Sequence, residues 1–82
     1  MKLPRDLAGT ELASLLRPYG YEITRQTGSH LRLTSTLKGN EHHVTVPRHK
    51  AIRVGTLSAI LAEVASYVET DRELVAGELF GR

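Results

Sequence analysis

The sequence has no cysteine in its 82 residues, which excludes a disulfide framework and any metal site built on thiolates. It also lacks an apolar run near the ~20 residues that a membrane-spanning helix needs. Segment 1–6 has no apolar stretch behind its basic residues, so we expect no signal peptide. These absences favour a cytoplasmic protein with no membrane partner.

Aromatic residues are scarce as well, at 5% of the chain, and tryptophan is absent. The core is therefore expected to be aliphatic, and stacking on single-stranded bases finds little support. A chain of 82 residues makes one domain, here residues 1–82, close to the size at which a single core is marginal.

The charges that are present are unevenly distributed. Residues 1–58 contain nine Lys or Arg against four acidic residues, whereas residues 59–82 contain two against five. A basic body with an acidic tail predicts an anionic partner for the body, although ordinary solvation of the surface gives similar asymmetry.

Apolar spacing predicts three helices. A first helix is expected over residues 9–17, with Pro18 distorting its end and Gly20 stopping it. A second follows from apolar residues at i, i+3, i+4 and i+7: Leu57, Ile60, Leu61 and Val64. The capping-box pattern from Thr70 to Glu73 predicts a short third helix that ends near Phe80.

Three stretches of alternating polarity predict strands over residues 21–26, 30–34 and 42–46. Short turns join them, so the predicted fold is α+β, a three-stranded antiparallel meander in the order α-β-β-β-α plus the terminal helix. We expect the helices to pack on the sheet face that carries Leu31 and Leu33. The opposite face would then carry His30, Arg32 and His43, unless a bulge breaks the alternation.

Four blocks resemble the HicA toxin family in order and spacing. They span residues 2 to about 65 and include QTGSH at 26–30 and HVTVPRHK at 43–50; the other two lie within residues 2–12 and 55–61. The resemblance implies a fold similar to a double-stranded-RNA-binding domain. It also implies the toxin of a type II toxin–antitoxin system, an mRNA-cleaving endoribonuclease neutralised by a HicB antitoxin. The family's catalytic histidine corresponds to His30, and the acidic tail, residues 66–82, inherits no role.

His30 is the candidate catalytic residue on chemical grounds too. RNA cleavage without metal or cofactor needs an acid or base and cations at the phosphate, and imidazole serves near neutral pH. Gly28 would let a phosphate approach the backbone, and Ser29 would donate a hydrogen bond to it. From their spacing alone, these residues more often form a hairpin turn followed by a solvated histidine, and the resemblance favours the catalytic role.

Further RNA-binding candidates lie on the same face and in the following loop. Arg32 and His43 share the predicted face of His30, while Arg48 and Lys50 precede the second helix, where cations and the helix N-terminus favour phosphate. A solvated loop is the alternative. His42 and His43 point to opposite faces, which argues against a shared metal, and His42 is expected to be partly buried.

Two other functions remain open from the sequence. A non-catalytic double-stranded-RNA-binding-like module would use the same fold and basic body. An interaction protein that has lost activity would also fit. His30 after a Gly-Ser turn favours the ribonuclease.

Overall fold

The computed structural model describes residues 2–81. The elements follow in the order α1 (Gly9–Leu15), β1 (Glu22–Thr27), β2 (His30–Ser35), β3 (His42–Pro47), α2 (Val54–Tyr67) and α3 (Arg72–Phe80). The three strands form one antiparallel sheet in the order β1-β2-β3. This confirms the predicted α+β class, the α-β-β-β-α order and the likeness to a double-stranded-RNA-binding domain.

The two faces of the sheet differ as the alternation predicts. Leu31 pairs with Val46 and Leu33 with Val44, and all four are buried beneath the helices. The other face, which we call the open face, is covered by none of the helices within residues 2–81. It bears polar side chains: Arg25, Thr27, His30, Arg32, Thr34, His43 and Thr45. The sheet therefore presents polar groups on a broad accessible surface.

The core is one cluster of buried side chains, aliphatic apart from Tyr21. Strands β2 and β3 and all three helices contribute to it, whereas every residue of β1 is exposed. Val75 and Ala76 of α3 are fully buried, so the C-terminal helix completes the core. No helix within residues 2–81 combines the length and apolar character needed to cross a membrane.

Helix ends deviate from the sequence prediction in two places. Helix α1 ends at Leu15, and residues Arg17–Tyr19 form a separate 3₁₀ turn, because Pro18 lacks the N–H that would continue the helix. The cap of α3 is Asp71, not Thr70: the Asp71 carboxylate accepts a 2.8 Å hydrogen bond from the Leu74 N–H. Both Asp and Thr are good caps, so the spacing pattern alone chose the wrong one.

The start of α1 packs closely against the end of β3. A Cβ at Gly9 would lie 2.1 Å from the carbonyl oxygen of Pro47, so any larger residue would force the two elements apart. The Gly9 N–H donates to the His49 carbonyl at 3.0 Å, and the Ile52 N–H donates to the Leu7 carbonyl at 2.8 Å. These bonds fix the basic loop between β3 and α2.

The far end of the sheet holds a second packed group, which we call the tyrosine cluster: Tyr21, His42 and Tyr67. Tyr21 is fully buried, and its hydroxyl shares a 2.7 Å hydrogen bond with His42 Nδ1. The His42 ring stacks on Tyr67 with ring centres 4.8 Å apart. Burial raises the pKa of Tyr21, with the charges of Tyr67 and Glu63 adding to the shift. His42 is thus partly buried and structural, as predicted.

The hydroxyls of two tyrosines form hydrogen bonds that connect loops to helices: Tyr67 connects the β2–β3 loop to α2, and Tyr19 connects the 3₁₀ turn to α3. The Tyr67 hydroxyl accepts from the Lys38 N–H at 2.9 Å and donates to the Asn40 carbonyl at 2.6 Å, which holds the β2–β3 loop against α2. The Tyr19 hydroxyl hydrogen-bonds to the Glu78 carboxylate of α3. Burial and this contact raise the pKa of Tyr19 to about 12.

Candidate active site

His30 is the first residue of β2 and lies directly after the β1–β2 turn. Gly28 has a φ of 43°, a left-handed conformation that favours glycine, and nothing lies within 4 Å of the position its Cβ would take. The Ser29 carbonyl accepts a 2.6 Å hydrogen bond from the Arg48 N–H. The turn is therefore open to solvent yet anchored to the loop that follows β3.

The imidazole of His30 is exposed and only weakly engaged by the protein. Its Nδ1 lies 3.4 Å from the Ser29 hydroxyl, a long contact at an exposed position. No residue of segment 2–81 hydrogen-bonds to its Nε2. One ring nitrogen is thus free to exchange a proton with a bound ligand.

A shallow depression of about 240 Å³ lies on the open face beside His30. Its walls are Arg25, Thr27, His30, Arg32 and Thr45. Two guanidinium groups and two hydroxyls therefore surround one imidazole. Such a set of donors suits an anionic ligand with several oxygens, such as a phosphate diester.

His43 occupies the same face but stands apart from His30. It pairs with Thr34, four residues along β2, which places it about 13 Å away. Its Nδ1 hydrogen-bonds to the Thr34 hydroxyl at 2.8 Å, and its Nε2 lies 3.5 Å from a Glu41 carboxylate oxygen. The Thr34 hydroxyl also contacts that of Thr24 at 2.7 Å. The structure therefore does not bring His43 and His30 together on one phosphate.

The basic loop residues are exposed near the His30 turn. Arg48 follows Pro47, the residue paired with His30, so it lies next to the turn. Lys50 is exposed two residues farther on, and Arg53 is the N-cap residue of α2. The first turn of α2 contains no acidic residue, so its N-terminus faces no carboxylate from its own helix.

Possible metal ligands do not converge. His42 points into the tyrosine cluster while His43 lies on the open face, as the strand alternation predicts. Within the part of the chain that the structure describes, no three His, Asp or Glu side chains are arranged to hold a metal ion.

A comparison with models of protein families identifies the family of the chain. A family model described as the HicA toxin of bacterial toxin–antitoxin systems matches residues 9–65. The chain belongs to the HicA toxin family. Searches of curated proteins and of solved structures find no match to it.

The HicA match covers the elements that build the site. Residues 9–65 include α1, the whole sheet, the basic loop and nearly all of α2, whereas α3 lies outside. As a HicA toxin, the protein has an antitoxin for its partner. Gly28 and Ser29, in the β1–β2 turn, and His30, at the start of β2, fall within the matched segment.

One residue that lines the candidate site was missed by the sequence prediction. Strict alternation along β1 would place Arg25 on the same face as Ile23, and Arg25 is not among the RNA-binding candidates taken from the sequence. The pairing of β1 with β2 shifts between these residues, so Arg25 lies on the open face opposite Arg32. The sequence contains no local signal for such a shift.

Proposed function

We propose that this HicA-family protein is a metal-independent endoribonuclease that cleaves mRNA in the cytoplasm, with His30 as general acid and base. The observation that carries the proposal is the composition of the depression. Of its five lining residues, His30 is the one whose side chain type changes charge near neutral pH, and it stands between two arginines and two threonines.

The chemistry follows from the placement of the imidazole. A neutral His30 accepts the proton of a ribose 2′-hydroxyl, and the freed oxygen forms a bond to the adjacent phosphorus. The bond from phosphorus to the 5′-oxygen breaks, and protonated His30 returns its proton to that leaving oxygen. Nearby cations stabilise the negative charge that builds up on the phosphate oxygens.

Residues around His30 would bind the RNA backbone. The open turn at Gly28 allows a phosphate close to the main chain, and the Ser29 hydroxyl is exposed beside His30. Arg32 and Arg48 add charge on either side of the turn. His43 and Lys50 lie farther along the surface, where we propose that they contact neighbouring phosphates of the strand.

We propose that the antitoxin is of the HicB type and covers the open face. The face carries arginines and histidines in exposed positions, so a partner with carboxylates over it would block RNA by occupying the same charges. This partner would compete with RNA and would not need to unfold the toxin.

The test is RNA cleavage by His30→Ala beside wild type. We expect a loss of about 10²- to 10⁴-fold in rate, as for removal of a general acid–base group, with an unchanged thermal unfolding midpoint because His30 is exposed. His49→Ala is the matched control: His49 is also exposed and next to the site, and its backbone, not its ring, bonds to Gly9. Wild-type rates in folded His30→Ala would contradict the proposal.

A non-catalytic RNA-binding module is the second candidate, favoured by the same polar face and fold. It predicts that the wild-type protein retards RNA in a binding assay but leaves it intact at all times. Cleavage by wild type, lost in His30→Ala, excludes it.

A further inference from the structure

The pairing of the first two strands contains one irregularity, and it lies beside the candidate active site. The register shifts between Ile23 and Arg25, which leaves Thr24 as the extra residue of a β-bulge. In an uninterrupted ladder Arg25 would stand opposite Leu31, on the helix side. With the bulge it stands opposite Arg32, on the open face. Bulges often redirect a side chain next to a functional site.

The resulting pair of arginines is unfavourable for the isolated protein. Like charges directly opposite each other on neighbouring strands destabilise a sheet. Within residues 2–81, neither Arg25 nor Arg32 has a carboxylate partner at ion-pair distance. The fold therefore places two arginines without carboxylate partners opposite each other, beside one depression, and an anion bound there would stabilise the pair.

The pair is also within reach of His30. Arg32 is two residues from His30 on the same strand face, a spacing of about 7 Å, and Arg25 is on the adjacent strand about 5 Å farther. All three side chains line the same depression. Arginine side chains are long enough to meet the imidazole over one phosphate, and each guanidinium can donate two parallel hydrogen bonds to its oxygens.

We propose that Arg25 and Arg32 form a two-arginine site for the RNA phosphate at which His30 acts, and that the bulge at Thr24 exists to deliver Arg25 to it. The inference rests on the proposed ribonuclease function. It adds Arg25 to the residues proposed to bind RNA, and it gives the β-bulge at Thr24 the role of orienting Arg25. It assigns the pair to phosphate binding and charge neutralisation, leaving proton transfer to His30.

The test measures binding of a single-stranded 2′-O-methyl oligonucleotide, which lacks the hydroxyl needed for cleavage, by fluorescence anisotropy at several salt concentrations. Arg25→Gln and Arg32→Gln should each weaken binding about tenfold. Each should also reduce the log–log salt slope by about 0.7, the value for one phosphate contact on a single strand. Arg17→Gln, at an exposed arginine of the 3₁₀ turn, is the matched control and should bind as wild type.

Thermal unfolding separates a binding role from a structural one. Arg25→Gln should keep or raise the unfolding midpoint, because it removes a like-charge contact. A lower midpoint together with weaker binding would assign Arg25 to the fold and overturn the proposal. So would equal affinities and slopes for Arg25→Gln and Arg17→Gln, or no binding of the oligonucleotide by wild type.

Cleavage of unmodified RNA by wild type is measured in parallel, so that failure of the ribonuclease proposal is seen separately. Weaker binding by the Arg25 and Arg32 variants supports the phosphate site even if wild type cleaves nothing. Normal binding by both variants overturns the phosphate site even if wild-type cleavage is lost in His30→Ala.

Discussion

The two ends of the sheet place histidines in opposite surroundings: His30 begins β2 at one end, and His42 begins β3 at the other. At one end, His30 is exposed, its hydrogen-bond contact with the Ser29 hydroxyl is 3.4 Å long, and arginines and threonines line the depression beside it. At the other end, His42 is partly buried, bonded to Tyr21 at 2.7 Å and stacked on Tyr67. Two histidines of one sheet therefore differ in burial and in whether their ring nitrogens are engaged, and on these grounds we propose His30, not His42, as the reactive one.

The same contrast separates a part of the sheet that is packed internally from a part whose side chains are left available for binding. The tyrosine cluster satisfies its polar groups within the protein and joins the sheet to α2. At the His30 end the main-chain bonds are fixed, as from Arg48 to Ser29, but the side chains are left to solvent. A rigid backbone that presents unsatisfied side chains is the arrangement a binding site needs.

The largest effect on stability is expected from His42→Ala. The substitution leaves the buried Tyr21 hydroxyl without its partner and removes the stacked ring from Tyr67, so we expect a loss of about 1–3 kcal/mol in the free energy of unfolding. His43→Ala is the matched control, since it changes the neighbouring histidine on the open face and should cost under about 0.5 kcal/mol. Urea denaturation measures both. Equal losses in the two variants would remove the distinction between the two faces of β3.

The sequence predicted most of the fold because its signals are local. Alternation over residues 30–34 and 42–46 identified β2, β3 and the faces of Leu31 and His30, and apolar spacing identified α2. Alternation also predicted correctly that the adjacent histidines point to opposite faces of the sheet, with His42 inward and His43 outward. These patterns hold since each strand is regular over the residues concerned.

Prediction from sequence fails where a contact between separate elements, and not the local sequence, determines the position of a residue. The position of Arg25 depends on a bulge, which is set by pairing between strands and not by the β1 sequence. The α3 cap depends on which of two good capping residues meets the Leu74 N–H. The distance between His30 and His43 required the register of β2 against β3, so a shared face was predictable but their separation was not.

A smaller effect, on the salt dependence of RNA binding, is expected from the basic loop residues beside the β1–β2 turn. Arg48→Ala and Lys50→Ala should each reduce the log–log salt slope of RNA binding by about 0.7 to 0.9, since each would lose one phosphate contact. Neither should change stability, because both side chains are exposed. Lys38→Ala is the control, since Lys38 lies in the β2–β3 loop at the opposite end and pairs with Glu69. Unchanged slopes in both loop variants would limit the RNA-binding surface to the open face.

Adding a chelator is expected to leave the rate of RNA cleavage unchanged, which is the smallest effect predicted. A catalytic metal needs several converging protein ligands, and here the adjacent histidines His42 and His43 diverge to opposite sides of β3. Both nitrogens of His43 face protein groups, and the depression at His30 is lined by arginines that repel a cation. The measurement compares initial cleavage rates with and without EDTA at matched ionic strength, because added salt alone weakens RNA binding. Loss of cleavage that one divalent ion restores would contradict the metal-free mechanism, and it would transfer the role of the cationic pair at Arg25 and Arg32 to the ion.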